Sequence, residues 1–258
     1  MKKGIFVTVI SLVLFTSCAL DGNLKKIKNP NLSLSINHQS IDISMLSDSE
    51  ISRAAACRLY LEHASVGTNL MDGLALIEQG DSRFNYSNFL DYARGNPSAL
   101  EKFEWFEQNV SDSSQGHYQN PANFNAMMVK LCYIDNVYGG FASATAMFNY
   151  YRDMMISLQN QYPETLFVWW TMPIKTTGDQ ARDTLNQLVR EYCESNDLVL
   201  FDIADIESHS PSGTHLTDSN SREIMDTSYS NDGGHLNAVG QNRVAAAYWK
   251  LAVLVSSL

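Results

Sequence analysis

Two motifs far apart in the chain carry residue types that support acyl-transfer chemistry. The first is Asp-Gly-Gly-His at residues 232–235, directly before an apolar, helix-like pattern. A carboxylate three residues before a histidine, on a loop that ends where a helix starts, can aim both side chains at one point. His235 can then act as a general base, while Asp232 fixes its tautomer and stabilises its charged form. The alternative is a loop carboxylate beside a helix-capping histidine.

The second motif supplies a nucleophile for this base. It reads His-Ala-Ser-Val-Gly at residues 63–67, between an apolar stretch and a helix-like stretch. A serine hydroxyl is a weak nucleophile and needs a base within hydrogen-bond reach. At a strand-to-helix turn, the backbone N–H of Ser65 can also help to stabilise an oxyanion. The alternative role for Ser65 is a helix N-cap, because serine is favoured there.

The elements that must position these motifs follow from the periodicity of apolar residues. We predict strands at 57–62, 127–133, 166–171 and 198–203, and helices at 66–79, 142–161, 179–195 and 238–255. Alternating strands and helices of these lengths predict a parallel sheet covered on both faces, which is a three-layer α/β/α sandwich. Ligands bind at the carboxyl ends of such strands, so Ser65 and His235 are expected at one edge. Residues 80–125 show no clear pattern.

These motifs resemble those of the SGNH/GDSL hydrolase superfamily. The resemblance rests on a serine after the first core strand and on the late block Asp232-Gly-Gly-His235-Leu-Asn, followed by Gly240. The His-x-Ser-Val-Gly form resembles a variant branch, since Ala-Ser-Val-Gly at residues 64–67 replaces the usual Gly-Asp-Ser-Leu. The resemblance implies a flavodoxin-like strand order and a serine esterase that needs no cofactor and no metal.

The family's oxyanion hole implies two further donors on separate loops. Gly95 lies in the compact turn Arg-Gly-Asn-Pro at residues 94–97, and Asn136 follows the predicted central strand. The family often shows Gly-x-Asn-Asp after that strand, whereas this chain reads Cys-Tyr-Ile-Asp-Asn, so Asp135 is an alternative occupant of the asparagine position. Ordinary turn roles explain Gly95 and Asn136 equally well.

Other histidines leave further possibilities open. His63 lies two residues before Ser65, so strand alternation places it on the same side as the serine, and we expect His63 and Asp135 to line a pocket. A buried structural role for His63 is the alternative. His209, His215 and His235 suggest a metal-dependent hydrolase, but their spacing is not that of a ligand motif, and we predict no metal site.

The N-terminus has the pattern of a bacterial lipoprotein signal. Two lysines precede a short apolar run, and small residues stand directly before Cys18. We predict a signal peptide at 1–17, lipidation of Cys18, a tether at 18–50 and a hydrolase domain at 51–258. The protein is then expected in the cell envelope, periplasmic or surface-exposed, and at the membrane only through its lipid anchor.

Composition narrows the choice of partner. The net charge is −10, and no basic stripe is present, which argues against nucleic acid as a partner. We therefore expect a small-molecule or glycan ester as substrate and hydrolysis of O-acyl groups as the reaction. The alternative is a catalytically weak or inactive surface glycan-binding lipoprotein with the same fold. The sequence indicates no oligomeric state.

Overall fold

The computed structural model describes residues 34–135 and 140–258. The strands are β1 (Ser35–Ile36), β2 (Leu59–His63), β3 (Phe89–Ala93), β4 (Ala126–Val129), β5 (Leu166–Phe167), β6 (Trp169–Trp170) and β7 (Leu200–Phe201). The α-helices are α1 (Asp48–Ala56), α2 (Val66–Gly80), α3 (Ala99–Ser111), α4 (Ala144–Gln161), α5 (Gln180–Ser195), α6 (Ile203–Ser208) and α7 (Ala238–Val255).

All strand pairs are parallel. One set of strands has the order β3-β2-β4-β5 and the other has the order β1-β7-β6. Only Val168 separates β5 from β6, and its N–H donates to the Met127 carbonyl at 3.1 Å. The two sets therefore meet along one stretch of chain, and the order of the core strands is flavodoxin-like.

The strands alternate between two apolar clusters, one on each face. Along β2, Leu59 and Leu61 belong to a cluster with residues of α1, α2, α6 and α7, whereas Tyr60 belongs to a cluster with residues of α3, α4 and α5. Strand geometry points successive side chains to opposite faces, so helices must cover both. The predicted three-layer α/β/α sandwich is confirmed.

The segment without a clear pattern contains two core elements. β3 extends the sheet beside β2, and α3 begins with a capping box in which Ser98 and Glu101 bind each other's backbone N–H groups. The Ser-x-x-Glu spacing is a readable sign of a helix start. The aromatic and polar residues around it hide the apolar period of α3.

Two elements of the structure precede residue 51, where the hydrolase domain is predicted to start. β1 pairs with β7 at the edge of the sheet, and α1 starts at Asp48 behind a capping box of Ser47 and Glu50. A two-residue strand such as β1 has too few residues to show alternation in the sequence. Cys18, the signal peptide and most of the tether lie outside the described residues.

Within the described ranges, every helix is too short or too polar to cross a membrane.

Candidate active site

Ser65 lies at the turn between β2 and α2, at the carboxyl edge of the sheet. It occupies the N-cap position with φ 52° and ψ −104°, and its side chain makes no capping hydrogen bond. A positive φ is uncommon for a residue with a Cβ and costs free energy. The packing of the flanking strand and helix must offset this cost. The strained turn thus presents the hydroxyl to the edge of the sheet, and the capping role is not realised.

Asp232 and His235 form the expected pair on the loop before α7. Asp232 Oδ2 is 2.7 Å from His235 Nδ1, and Asp232 Oδ1 accepts the backbone N–H groups of Gly234 at 2.9 Å and His235 at 2.8 Å. These bonds, the one from the His235 ring above all, hold the pKa of the Asp232 carboxyl well below its usual range. With Nδ1–H donated to Asp232, the Nε2 of His235 remains as the acceptor. Asn237, not His235, caps α7.

Packing of α2 against α7 brings the two motifs together. The Asn69 Oδ1 in the first turn of α2 accepts the N–H of Leu236 at 3.0 Å. Further along, Gly73 lies against α7 so closely that an added Cβ would be 2.2 Å from the Gln241 carbonyl oxygen. Only a glycine allows this approach, which sets the loop of His235 over the start of α2.

Tyr133, which sequence reasoning missed, lies against the His235 ring. Its hydroxyl lies 3.1 Å from Nδ1 and 3.2 Å from Nε2 of His235. Burial raises the pKa of Tyr133, and the adjacent Ser65 hydroxyl opposes that rise. The Ser65 Oγ is buried and, among the described residues, has no hydrogen bond of ordinary geometry. The expected hydrogen bond between Ser65 and His235 is therefore not formed. The sequence offered one sign, a polar aromatic residue in the loop after β4.

His63 is committed to a structural contact. Its Nε2 is 2.9 Å from Asp91 Oδ2 on the neighbouring strand, and its side chain is fully buried. An added Cβ at Gly67 would be 2.2 Å from the His63 ring, so Gly67 is needed for the ring to pack against α2. The structure thus supports the structural alternative, and His63 does not line an open pocket with Ser65.

Asp135 is also engaged elsewhere. Its carboxylate oxygens lie 2.6 Å from Lys102 Nζ, both side chains are only 4% exposed, and Oδ2 accepts the Cys132 N–H at 2.7 Å. A buried carboxylate that is paired with a lysine is not a free acid, so the structure does not support the alternative in which Asp135 acts as an acid. Gly95 lies exposed after β3 at the same edge of the sheet, where an added Cβ would meet nothing. Asn136 lies outside the described residues.

Of the histidines considered as possible metal ligands, His209 and His215 are stacked with ring centroids 4.8 Å apart, but among the described residues neither His215 nor His235 belongs to a cluster of ligand atoms. Within the described ranges, the cluster with metal-ligand atoms consists of His38, Asp205 and His209, whose ligand atoms lie within 4.8 Å of one another. The rings of His38 and His209 are stacked at 3.5 Å and 7°, so their in-plane lone pairs run parallel. Hydrogen bonds to Asp205 at 2.6 Å and 2.8 Å already explain this arrangement. These residues do not fit a metal without rotation of the rings.

Comparisons with known proteins identify solved structures whose fold is similar to that of this chain. No family model matches the chain, and no curated protein matches it. An acylhydrolase candidate from Bacteroides fragilis NCTC 9343 is similar in structure, with a TM-score of 0.54 and 13% identity over 83% of this chain and 97% of the other. A GDSL-like lipase candidate from Parabacteroides merdae ATCC 43184 has a TM-score of 0.49 and 13% identity over 76% and 95% of the two chains. The chain thus shares its three-layer α/β/α fold with the acylhydrolase candidate, in agreement with the fold that the motifs at its two ends predicted.

Proposed function

We propose that the protein is a serine esterase that hydrolyses O-acyl esters. Ser65 is the nucleophile, His235 is the general base and acid, and Asp232 orients His235. The backbone N–H of Ser65, with that of Gly95, is proposed to bind the oxyanion. The observation that carries this proposal is the strained Ser65 turn at the carboxyl edge of the sheet, where the packing of α2 against α7 brings the loop of the Asp232-bound His235 over the start of α2.

The proposed reaction has two stages. The Ser65 Oγ attacks the ester carbonyl carbon while its proton moves to Nε2 of His235, and the carbonyl π electrons move onto the oxygen. The tetrahedral intermediate collapses, the carbon–oxygen bond to the alcohol breaks, and His235 returns the proton to the alcohol. Water then attacks the acyl-serine in the same way and releases the acid. Asp232 stays ionised throughout, because its pKa is held low.

The substrate is proposed to be an ester on a glycan of the cell envelope or the environment. Support comes from the acidic chain, which disfavours nucleic acid, and from the predicted lipid anchor at Cys18. A carbohydrate esterase from Talaromyces cellulolyticus is among the similar solved structures, at 13% identity and a TM-score of 0.47, a likeness too distant to support this choice. If the anchor exists, the wild-type protein should partition into detergent and the Cys18→Ala precursor should not be lipidated.

A direct test combines an activity-based probe with hydrolysis assays. The domain from residue 34 is incubated with a fluorophosphonate, which labels an activated serine, and with a panel of acyl esters. We expect labelling at Ser65 and hydrolysis in the wild-type domain. Ser65→Ala and His235→Ala should each lose nearly all activity, and the double variant little more, because the members of such a unit are not additive. Thr68→Ala, an exposed hydroxyl one turn along α2, is the matched control and should stay active.

Two results would support other functions. Tight glycan binding without labelling or hydrolysis supports the binding-protein alternative, for which the missing hydrogen bond between Ser65 and His235 is the structural argument. Activity that survives Ser65→Ala but is lost with a chelator supports a metal-dependent hydrolase instead.

A further inference from the structure

The loop directly after β3 runs beside the turn that holds Ser65. β2 and β3 pair as far as His63 with Ala93, and the Arg94 N–H still donates to the His63 carbonyl at 2.8 Å. Gly95, one residue further along, therefore lies beside the strained turn. Within the part of the chain that the structure describes, the Gly95 N–H donates to no backbone carbonyl, and an added Cβ would meet nothing within 4 Å. This N–H is thus open to a ligand oxygen.

The residue before Gly95 is anchored by a buried carboxylate. Arg94 Nη2 lies 2.9 Å from Glu62 Oε2, near the end of β2. The Arg94 guanidinium also lies over the rings of Tyr92 and Trp105, 4.8 Å and 4.7 Å from their centroids. The other oxygen of Glu62 accepts two hydrogen bonds, at 2.9 Å and 2.8 Å, so the carboxylate is itself held in place. These contacts tie the start of the loop to the strand that leads into the nucleophile turn.

The residue after Gly95 is anchored by a buried lysine of α3. The side chain of Lys102 is 4% exposed, and its Nζ donates to Asn96 Oδ1 and to both carboxylate oxygens of Asp135, each at 2.6 Å. Asp135 also accepts a backbone N–H within the loop after β4. β3 and β4 lie on either side of β2. Lys102 therefore joins the two neighbouring loops across the end of the strand that leads into the nucleophile turn.

Buried charges of this kind fix direction more than they add stability. Removal of two charges from water costs about as much free energy as their attraction returns, so apolar side chains would stabilise the fold equally well. An ion pair with hydrogen bonds adds geometric specificity, because the lysine Nζ needs its oxygen partners at fixed places. An oxyanion hole needs such fixed donors, since its advantage over water is that its N–H groups need no reorganisation during the reaction.

We propose that Lys102 and Asn96 are positioning residues that hold the Gly95 N–H beside that of Ser65 as a preformed oxyanion hole. This inference rests on the proposed function. Lys102 is buried and acts on the loop through the Asn96 side chain, so it touches neither the substrate nor the reacting atoms. Without the bond between Lys102 and Asn96, the Gly95 N–H is held from one side only. The negative oxygen of the tetrahedral intermediate is then stabilised less well, while binding of the neutral ester changes little.

The test uses Asn96→Ala, which removes the bond to the loop but leaves the pair of Lys102 and Asp135 in place. With p-nitrophenyl acetate, kcat should fall about tenfold, because a misplaced donor costs less than the loss of one, which is on the order of 10²–10³-fold. KM should change by less than about twofold, since the donor acts mainly in the transition state. Asn96→Asp retains an acceptor for Lys102 and should restore kcat to within about twofold of the wild-type value.

A second substrate separates positioning from general damage. Sulfur is a weaker hydrogen-bond acceptor than oxygen, so the wild-type protein should hydrolyse p-nitrophenyl thionoacetate much more slowly than the oxygen ester. In Asn96→Ala this preference for the oxygen ester should shrink several-fold, because an impaired hole has less to lose on sulfur. A variant that is merely less stable would slow both reactions equally. Asn85→Ala, an exposed asparagine that also forms side-chain hydrogen bonds but lies before β3, is the matched control and should keep both rates.

The outcomes separate this inference from the proposed function. If Asn96→Ala keeps the wild-type kcat, or slows both esters in equal proportion, Lys102 does not position the oxyanion donor, and the esterase proposal stands without it. Failure of Asn96→Asp to recover activity also overturns the inference. If the wild-type protein hydrolyses neither ester and a fluorophosphonate leaves Ser65 unlabelled, both proposals fail together. Urea unfolding shows whether the variants are folded. Should Asn96→Ala not fold, Lys102→Met with Asp135→Asn removes the ion pair without leaving a buried charge and should show the same reduced preference.

Discussion

At the scale of single residues, the motif around Ser65 is a packing unit as well as a chemical one. His63 is buried against Gly67 and bound to Asp91, which fixes the end of β2 and the start of α2 relative to each other. Ser65 lies between these two anchors, in a backbone conformation that a free loop would not retain. The residues around the serine therefore explain how its strained turn is held at the edge of the sheet.

The residue whose loss should separate chemistry from folding is Asp232. It is exposed, and its carboxylate accepts hydrogen bonds from the backbone N–H groups of Gly234 and His235 and contacts the His235 ring. Asp232→Asn can keep an acceptor for the backbone bonds but favours the wrong imidazole tautomer, so kcat should fall by about 10⁴-fold with the fold retained. Steady-state hydrolysis measures the fall in kcat, and thermal unfolding shows whether the fold is retained. Asp153→Asn, on the exposed surface of α4, is the control, and a change of less than tenfold for Asp232→Asn would contradict the assigned role.

At the scale of elements, the contact of α2 with α7 positions the site. Ser65 directly precedes α2, and His235 lies on the loop directly before α7. The positions of the two residues therefore depend on how these helices pack. The absence of a side chain at Gly73 lets the helices approach, and the bond from Leu236 to Asn69 sets their offset. A shift of either helix along the other would move the histidine relative to the serine.

Gly73→Ala should therefore impair both stability and activity. A Cβ 2.2 Å from the Gln241 carbonyl oxygen forces the helices apart, and such overpacking costs about 1–3 kcal/mol, more than the better helix propensity of alanine returns. Urea unfolding should show this loss, and the hydrolysis rate should fall because the reacting groups move apart. Gly80→Ala, at the end of the same helix with open space around it, should be neutral. Equal stability of the two variants would show that the close approach is not required.

At the scale of the whole molecule, buried charges make the stability of the protein depend on pH. Glu207 is buried beneath the edge of the sheet, with one oxygen accepting the Ile174 N–H at 2.7 Å and the other without a hydrogen-bond partner among the described residues. Burial raises the pKa of Glu207 to about 8, against the opposing effects of the nearby charges of Lys130 and Arg182.

The sign of this dependence follows from linkage. A carboxyl whose pKa is raised by folding stabilises the protein fully below its unfolded pKa, near 4.5, and this contribution is lost as the pH rises toward about 8. The free energy of unfolding should fall across that window, and Glu207→Gln should flatten the fall by up to about 1.4 kcal/mol per pH unit. Urea unfolding at pH 5, 6, 7 and 8 measures the slope. Glu164→Gln, an exposed control, should leave it unchanged, and the idea fails if Glu207→Gln does the same.

The long periodic elements and the two chemical motifs were determined by the sequence itself. Helices α2, α4, α5 and α7 were predicted to within two residues at each end, because their apolar spacing and flanking residues are local signals. The pairing of Asp232 with His235 was predictable for the same reason, since three residues separate them. The short strand β1 and the helix α3 were not predicted, because two residues cannot show a period and aromatic residues obscured the pattern of α3.

Only the tertiary structure decided which side chains share the site. His63 and Asp135 were expected in the pocket, yet contacts with Asp91 and Lys102, distant in sequence, bury them instead. Tyr133 was not singled out, yet it lies against His235, 102 residues away. Such choices depend on how helices and strands pack, and a burial or hydrogen bond between distant residues leaves no periodic mark in the sequence. The chain alone thus specifies the residue types and the local spacing of Ser65, Asp232 and His235, whereas packing decides which other side chains surround them.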